Sequence, residues 1–156
     1  MGAIFQRCTV LGKLGVATLL ILAVGCGGPE QRKAKYRTKA QEYMQAGNFP
    51  KARVALRNVL KIDPKDSEAY FLYAQVEEKE KDWRHAFAHY LQVVELNPTH
   101  EQALVKLGKF YLQGRLDEKA RETADQLLRL YPGHVSARAI HGALLAAEGK
   151  LTEATA

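Results

Sequence analysis

The sequence predicts an all-α fold, a solenoid of tandem helix–turn–helix units. Three observations carry that reading. Pro64, Pro98 and Pro132 stand 34 residues apart, and a strict period of this length marks stacked supersecondary units. Apolar residues inside each unit recur at helical spacing: Ala103, Leu104, Leu107, Gly108 and Tyr111 share one stripe, and Leu116, Ala120, Ala124, Leu127 and Leu128 another. Small residues return at fixed places, with Ala40, Ala74, Gly108 and Gly142 eighth and Ala52, Ala86, Ala120 and Ala154 twentieth. Close helix–helix approach needs such residues, with large side chains between them to fill the gaps.

Aligned on the prolines, the units are 33–66, 67–100 and 101–134, with an incomplete fourth at 135–156. Helices are predicted at 29–46, 50–62, 67–80, 83–96, 101–113, 117–130 and 135–148, with an eighth starting near Thr152. Pro29 suits a first helical turn, where its missing N–H costs nothing. Gly47-Asn48 ends the first helix, and Pro50 is tolerated in the first turn of the next. Asn48 and Asp82 are residue types that cap helix starts. Asp63-Pro64, Asn97-Pro98 and Tyr131-Pro132 close the second helices, because the residue before proline disfavours the helical region.

The N-terminal 25 residues read differently. Arg7 and Lys13 precede Leu14–Val24, an uninterrupted run of eleven apolar residues. A positive segment followed by an apolar core of this length is a secretory signal, and the run is short of the roughly 20 residues a membrane span needs. Cleavage before Cys26 leaves one cysteine in the mature chain, so no internal disulfide is expected. It also lowers the net charge from +6 to +4, since Lys+Arg falls from 23 to 21 against 17 acids. That excess is too mild to indicate nucleic acid, and no zinc-finger or aromatic–basic RNA-binding motif is present.

Candidate chemistry is sparse. His85 and His89 share a helix face, but Ala-Phe-Ala lies between them and no third metal ligand follows. They are expected on the outer helix layer, partly exposed. Ser67 and Ser136 are the only serines and sit where helices begin, so no nucleophilic triad is supported. Glu77-Glu78 and Glu118–Glu122 read as solvated faces. No metal, cofactor or catalytic site is expected. Unit 33–66 has nine basic and three acidic residues, net +6, while 67–100 is −3. The run Arg32, Lys33, Lys35, Arg37, Lys39 lies beside the leader, where each charge could contribute on the order of 1 kcal/mol against anionic headgroups.

Two resemblances add to this. Ala23-Val24-Gly25-Cys26 resembles the lipobox of bacterial lipoproteins. It implies a covalent lipid on Cys26, a short tether at 26–32 and export to a membrane. Gly27 is not the aspartate associated with inner-membrane retention, which in a Gram-negative cell implies the outer membrane, facing the periplasm. With Gly27 and Gly28 as most of the tether, a few extended residues reach only about 10–20 Å, so the first unit is expected near the membrane surface. The recurring alanines, glycines and prolines over 33–156, about four-fifths of the chain, resemble the tetratricopeptide repeat family. Lys39, Arg138 and His141 depart from its pattern.

That family's fold implies a right-handed superhelix whose first helices line a concave groove for a peptide or a partner's helix. Its exposed first-helix places give Arg37, Gln41 and Gln45, then Phe71, Gln75 and Lys79, then Val105, Lys109 and Gln113. Arg37, Gln41, Gln75 and Lys109 partly match a clamp for a peptide's C-terminal carboxylate, with Val105 where a second cation belongs. The implied role is a protein-interaction scaffold, anchored in the envelope, for a pilus, secretion, exopolysaccharide or protein-sorting assembly. The alternative is the substrate-presenting part of a longer enzyme with its catalytic domain beyond Ala156. The unfinished fourth unit leads us to expect a longer natural chain, since solenoid ends need capping.

Overall fold

In a computed structural model, residues 28–149 can be described; the leader, Cys26 and the eighth helix near Thr152 lie outside them. Seven helices follow one another: α1 (Pro29–Gln45), α2 (Phe49–Ile62), α3 (Ser67–Lys79), α4 (Trp83–Leu96), α5 (Glu101–Gln113), α6 (Asp117–Leu130) and α7 (Val135–Ala147). No strand occurs among the described residues. The bounds agree with those read from the sequence to within a residue.

Local chemistry sets those bounds. Asn48 and Asp82 cap α2 and α4, accepting from the Lys51 and His85 N–H groups at 3.2 and 3.4 Å. Asp66 caps α3 by accepting from Ala69 N–H at 2.8 Å. Histidines cap α5 and α7: Nδ1 of His100 accepts from Ala103 N–H, and Nδ1 of His134 from Ala137 N–H. Each first helix ends in one shape. The N–H of Asn48, Asp82 and Leu116 bonds back to the carbonyls of Tyr43, Glu77 and Tyr111, and the residue before it is left-handed. That residue is Gly47 or Gly149 in two units, but Lys81 (φ 63°) and Arg115 (φ 56°) in the others.

Packing follows the small places. Ala40, Ala52, Ala74, Ala86 and Ala120 are wholly buried. At Gly108 a Cβ would come within 2.6 Å of Ile140 Cδ1, so α5 and α7 approach through its missing side chain. Two clusters result. Ala40, Leu56, Val59, Leu72 and Val76 belong to the first, and Tyr90, Val93, Leu104, Leu107, Leu127, Ile140 and Leu144 to the second. Helix α3 feeds both, giving Ala69, Leu72 and Val76 to the first and Phe71 and Ala74 to the second. Leu116 does not join the stripe expected of it; it stands before α6 and is 47% exposed.

Candidate protein-binding groove

The three residues at the ninth place, Gln41, Gln75 and Lys109, and the three at the thirteenth, Gln45, Lys79 and Gln113, are exposed or half-buried. They lie on the first helix of each pair, away from the face that packs on the second. Met44, Glu78 and Leu112, at the twelfth place, are half-buried beside them. The same places continue on α7 as Ala143, Ala146 and Ala147, with Ala139 at the fifth; all four are exposed. The candidate wall therefore changes along the chain from amides through cations to bare methyl groups. The alanine stretch follows from the 34-residue register carried into the fourth unit.

The fifth place behaves differently, which corrects the groove assignment of Arg37, Phe71 and Val105. In the first two units it points at the residue that caps the following first helix. Arg37 reaches Asp66 at 2.5 Å. Phe71 is buried, its ring 4.6 Å from that of His100 and 5.7 Å from Tyr90. Val105 is half-buried and packs on the second cluster. These side chains join units. With its guanidinium held by Asp66, Arg37 is not a free cation for a carboxylate clamp, leaving Lys109 without its expected partner.

Lys79 and Lys109 form no ion pair among the described residues, whereas the other cation near them, Lys106, is 2.6 Å from Glu78. The groove face thus carries two unneutralised cations. Tyr90 lies beneath, and burial, together with the Glu78 and Glu77 carboxylates, pushes its ionisation far above the usual tyrosine range.

Glu77 is not solvated as expected. It is 4% exposed and bonded to Nδ1 of His89 at 2.7 Å, with the Tyr70 and Tyr73 rings beside the imidazole. A buried carboxylate needs such a partner; the other first helices place Tyr43, Tyr111 or Leu145 there. His85, exposed, turns instead to Asp82 and holds that carboxyl below its ordinary range. The two histidines therefore serve different carboxylates, and no His/Cys/Asp/Glu group suited to a metal ion occurs among the described residues.

The basic run divides. Arg32, Lys35 and Lys39 are exposed. The Lys33 side chain is only 13% exposed and is ringed by Asp63 at 2.8 Å, Glu30 at 3.2 Å and Asp66 at 3.4 Å. These partners raise its ionisation above the usual lysine range, Asp63 most, while Lys33 lowers that of Asp63. Lys33 is therefore a structural cation and not part of a free basic face. No described helix is long and apolar enough to cross a membrane.

Two family models, each described as a tetratricopeptide repeat, match residues 37–101 and 102–134. No curated protein matches the sequence. Among solved structures, PilF of Pseudomonas aeruginosa is similar at 24% identity and TM-score 0.66, over 82% of this chain and 59% of that one. This chain thus spans under two-thirds of that structure. MamA of Desulfovibrio magneticus RS-1 is similar at 19% identity and TM-score 0.68, over 79% and 71%. The TPR2B domain of yeast Sti1, solved in complex with an Hsp70 peptide, aligns at 21% identity and TM-score 0.61, over 76% and 98%. Repeat matches, helix pairs and register agree: this chain belongs to the tetratricopeptide repeat family.

Proposed function

We propose that the chain is an exported, lipid-anchored scaffold that holds a segment of a partner protein in its groove within a cell-envelope assembly. The observation that carries the reading is the exposed wall from Gln41 to Ala147, with Lys79 and Lys109 unneutralised at its centre. Grooves of this kind need polar groups for register and apolar surface for affinity. Here the cations select an acidic stretch, and the alanines of α7 let small apolar side chains approach the backbone. Peptide-bound relatives of the same fold support a protein ligand. The groove offers hydrogen bonds and charge, the means by which a peptide segment is held. The leader and the Cys26 lipobox support the anchored state.

The test is binding of an acidic peptide library to the protein and to the Lys79→Glu/Lys109→Glu double variant. We expect captured peptides to be rich in Asp and Glu, and the double reversal to weaken them by at least tenfold, roughly 1.4 kcal/mol. Undiminished binding by the variant would remove the groove from the account. Mass spectrometry of the membrane-extracted protein tests the anchor separately, with a diacylglycerol-modified Cys26 expected at the N-terminus.

A further inference from the structure

We propose that the N-terminal end of the solenoid is itself a docking surface for anionic phospholipid headgroups, oriented by the anchor. The proposal rests on the anchored reading for its orientation and on independent observations for its charge. Among the cations of the first helix pair, Lys33, Arg37 and Arg53 are held by carboxylates. Arg32, Lys35 and Lys39 on α1 and Lys51, Arg57 and Lys61 on α2 are exposed and form no ion pair among the described residues.

Their spacing gathers them. Arg32, Lys35 and Lys39 follow at three- and four-residue steps, so they form one stripe. Lys51, Val54, Arg57 and Lys61 form another. The helices are antiparallel neighbours: Lys33 bonds Asp63 just past the end of α2, and Lys51 Nζ sits 5.7 Å from the centre of the Tyr43 ring near the end of α1. Both stripes therefore belong to the same end of the solenoid, with the Arg32 end of one level with the Lys61 end of the other and Lys39 toward the level of Lys51. Acidic competition is slight. Helix α2 contains no Asp or Glu, and α1 has Glu30, engaged with Lys33, and Glu42.

Two features point to a bilayer over an acidic protein or a second copy. Cys26, the lipidation position of the anchored reading, lies three residues before α1 begins at Pro29, so this end is the one held at the lipid. Val54, 56% exposed within the α2 stripe, offers a shallow apolar contact among the cations. Two copies meeting through this face would oppose like charges. Each basic residue near an anionic surface strengthens association by about fivefold, and salt weakens the effect.

The experiment uses the full-length chain reconstituted in vesicles of phosphatidylcholine alone or with phosphatidylglycerol. Acetylation rates of Lys35, Lys39 and Lys61 are read by mass spectrometry, with Lys79 and Lys109 as references. We expect several-fold slower labelling at the first three in phosphatidylglycerol only, reversed by high salt. The Arg32→Glu/Arg57→Glu variant, folded by circular dichroism, should lose that protection. Equal rates in both lipids would overturn the proposal. So would protection that appears only on adding envelope proteins, which would assign the face to an acidic partner. An unmodified Cys26 would sink the anchored reading while leaving the lipid comparison to stand or fall alone.

Discussion

The junction between units one and two and that between units two and three use the same places in different chemistries. At the first, Arg37 meets Asp66 and Arg53 meets Glu80. At the second, Phe71 stacks on His100, and Phe87, standing where Arg53 does, packs against Phe110 and Tyr111 at 5.7 and 5.6 Å. The third junction returns to charge, with Arg121 on Glu148. Helix α3 lies between an ionic joint and a mainly aromatic one, where the Lys106–Glu78 pair is the one carboxylate–lysine contact beside the rings among the described residues. The period fixes where a joint falls, and the side chains decide how it responds to salt, acid and truncation.

The aromatic joint should be the harder to lose. Phe71→Ala removes a buried ring from the second cluster and is expected to cost about 3–5 kcal/mol, read as a drop in the urea midpoint with little dependence on salt. Asp66→Ala should cost less, about 2–3 kcal/mol, by deleting a helix cap and stranding Arg37. Its penalty should shrink as salt rises, because the native pair is partly screened already. Equal salt responses for the two variants would erase the distinction between the joints.

Acid should act on the first helix pair before the second joint. The Asp63 carboxyl is lowered by Lys33, so the folded state favours its charged form. Its stabilisation is present above the unfolded carboxylate value and is lost as pH falls through the folded one. The site is partly exposed, so the contribution is below about 1 kcal/mol. Hydrogen exchange taken from about pH 5 toward pH 3 should show α1 and α2 opening before α4 and α5, a difference that Asp63→Asn should narrow. Lys33 stays charged throughout this range; at the other extreme the same pair is lost only as pH rises through the raised lysine value, at strongly alkaline pH.

The smallest effect is a gain. Lys81 and Arg115 occupy left-handed backbone that Gly47 and Gly149 fill in the other units. Lys81→Gly and Arg115→Gly should each stabilise by up to about 1 kcal/mol, relief of strain outweighing the added chain entropy. A loss of thermal midpoint in both would contradict the geometry.

Much of this fold was legible before any coordinates. Proline period, small places and the Asn48 and Asp82 caps are local signals, and a stacked repeat is built from local signals. What was missed depends on contacts across the chain. Phe71 looks like a groove residue by register and is buried because His100 lies opposite it. Glu77 looks solvated until His89, twelve residues on, folds back beside it. His100 and His134 sit at repeat ends by sequence, but do not read as caps there because imidazole is an uncommon helix cap. Gly114 draws the eye as the turn residue, yet Arg115 takes the left-handed position. Of the proposed groove, the amides, the lysines and the alanines of α7 follow from the register, while the pairing of Arg37 with Asp66 does not.

If the proposed function holds, partners contact the first-helix wall and not the second helices. A photo-crosslinking amino acid placed singly at Gln75, at Ala143 and at Leu91, which is exposed on the second helix of its pair, tests it in the native envelope. The account predicts that Gln75 and Ala143 trap the same protein segment while Leu91 traps none of it. Capture of that segment at Leu91 alone, or equally at all three positions, would contradict it.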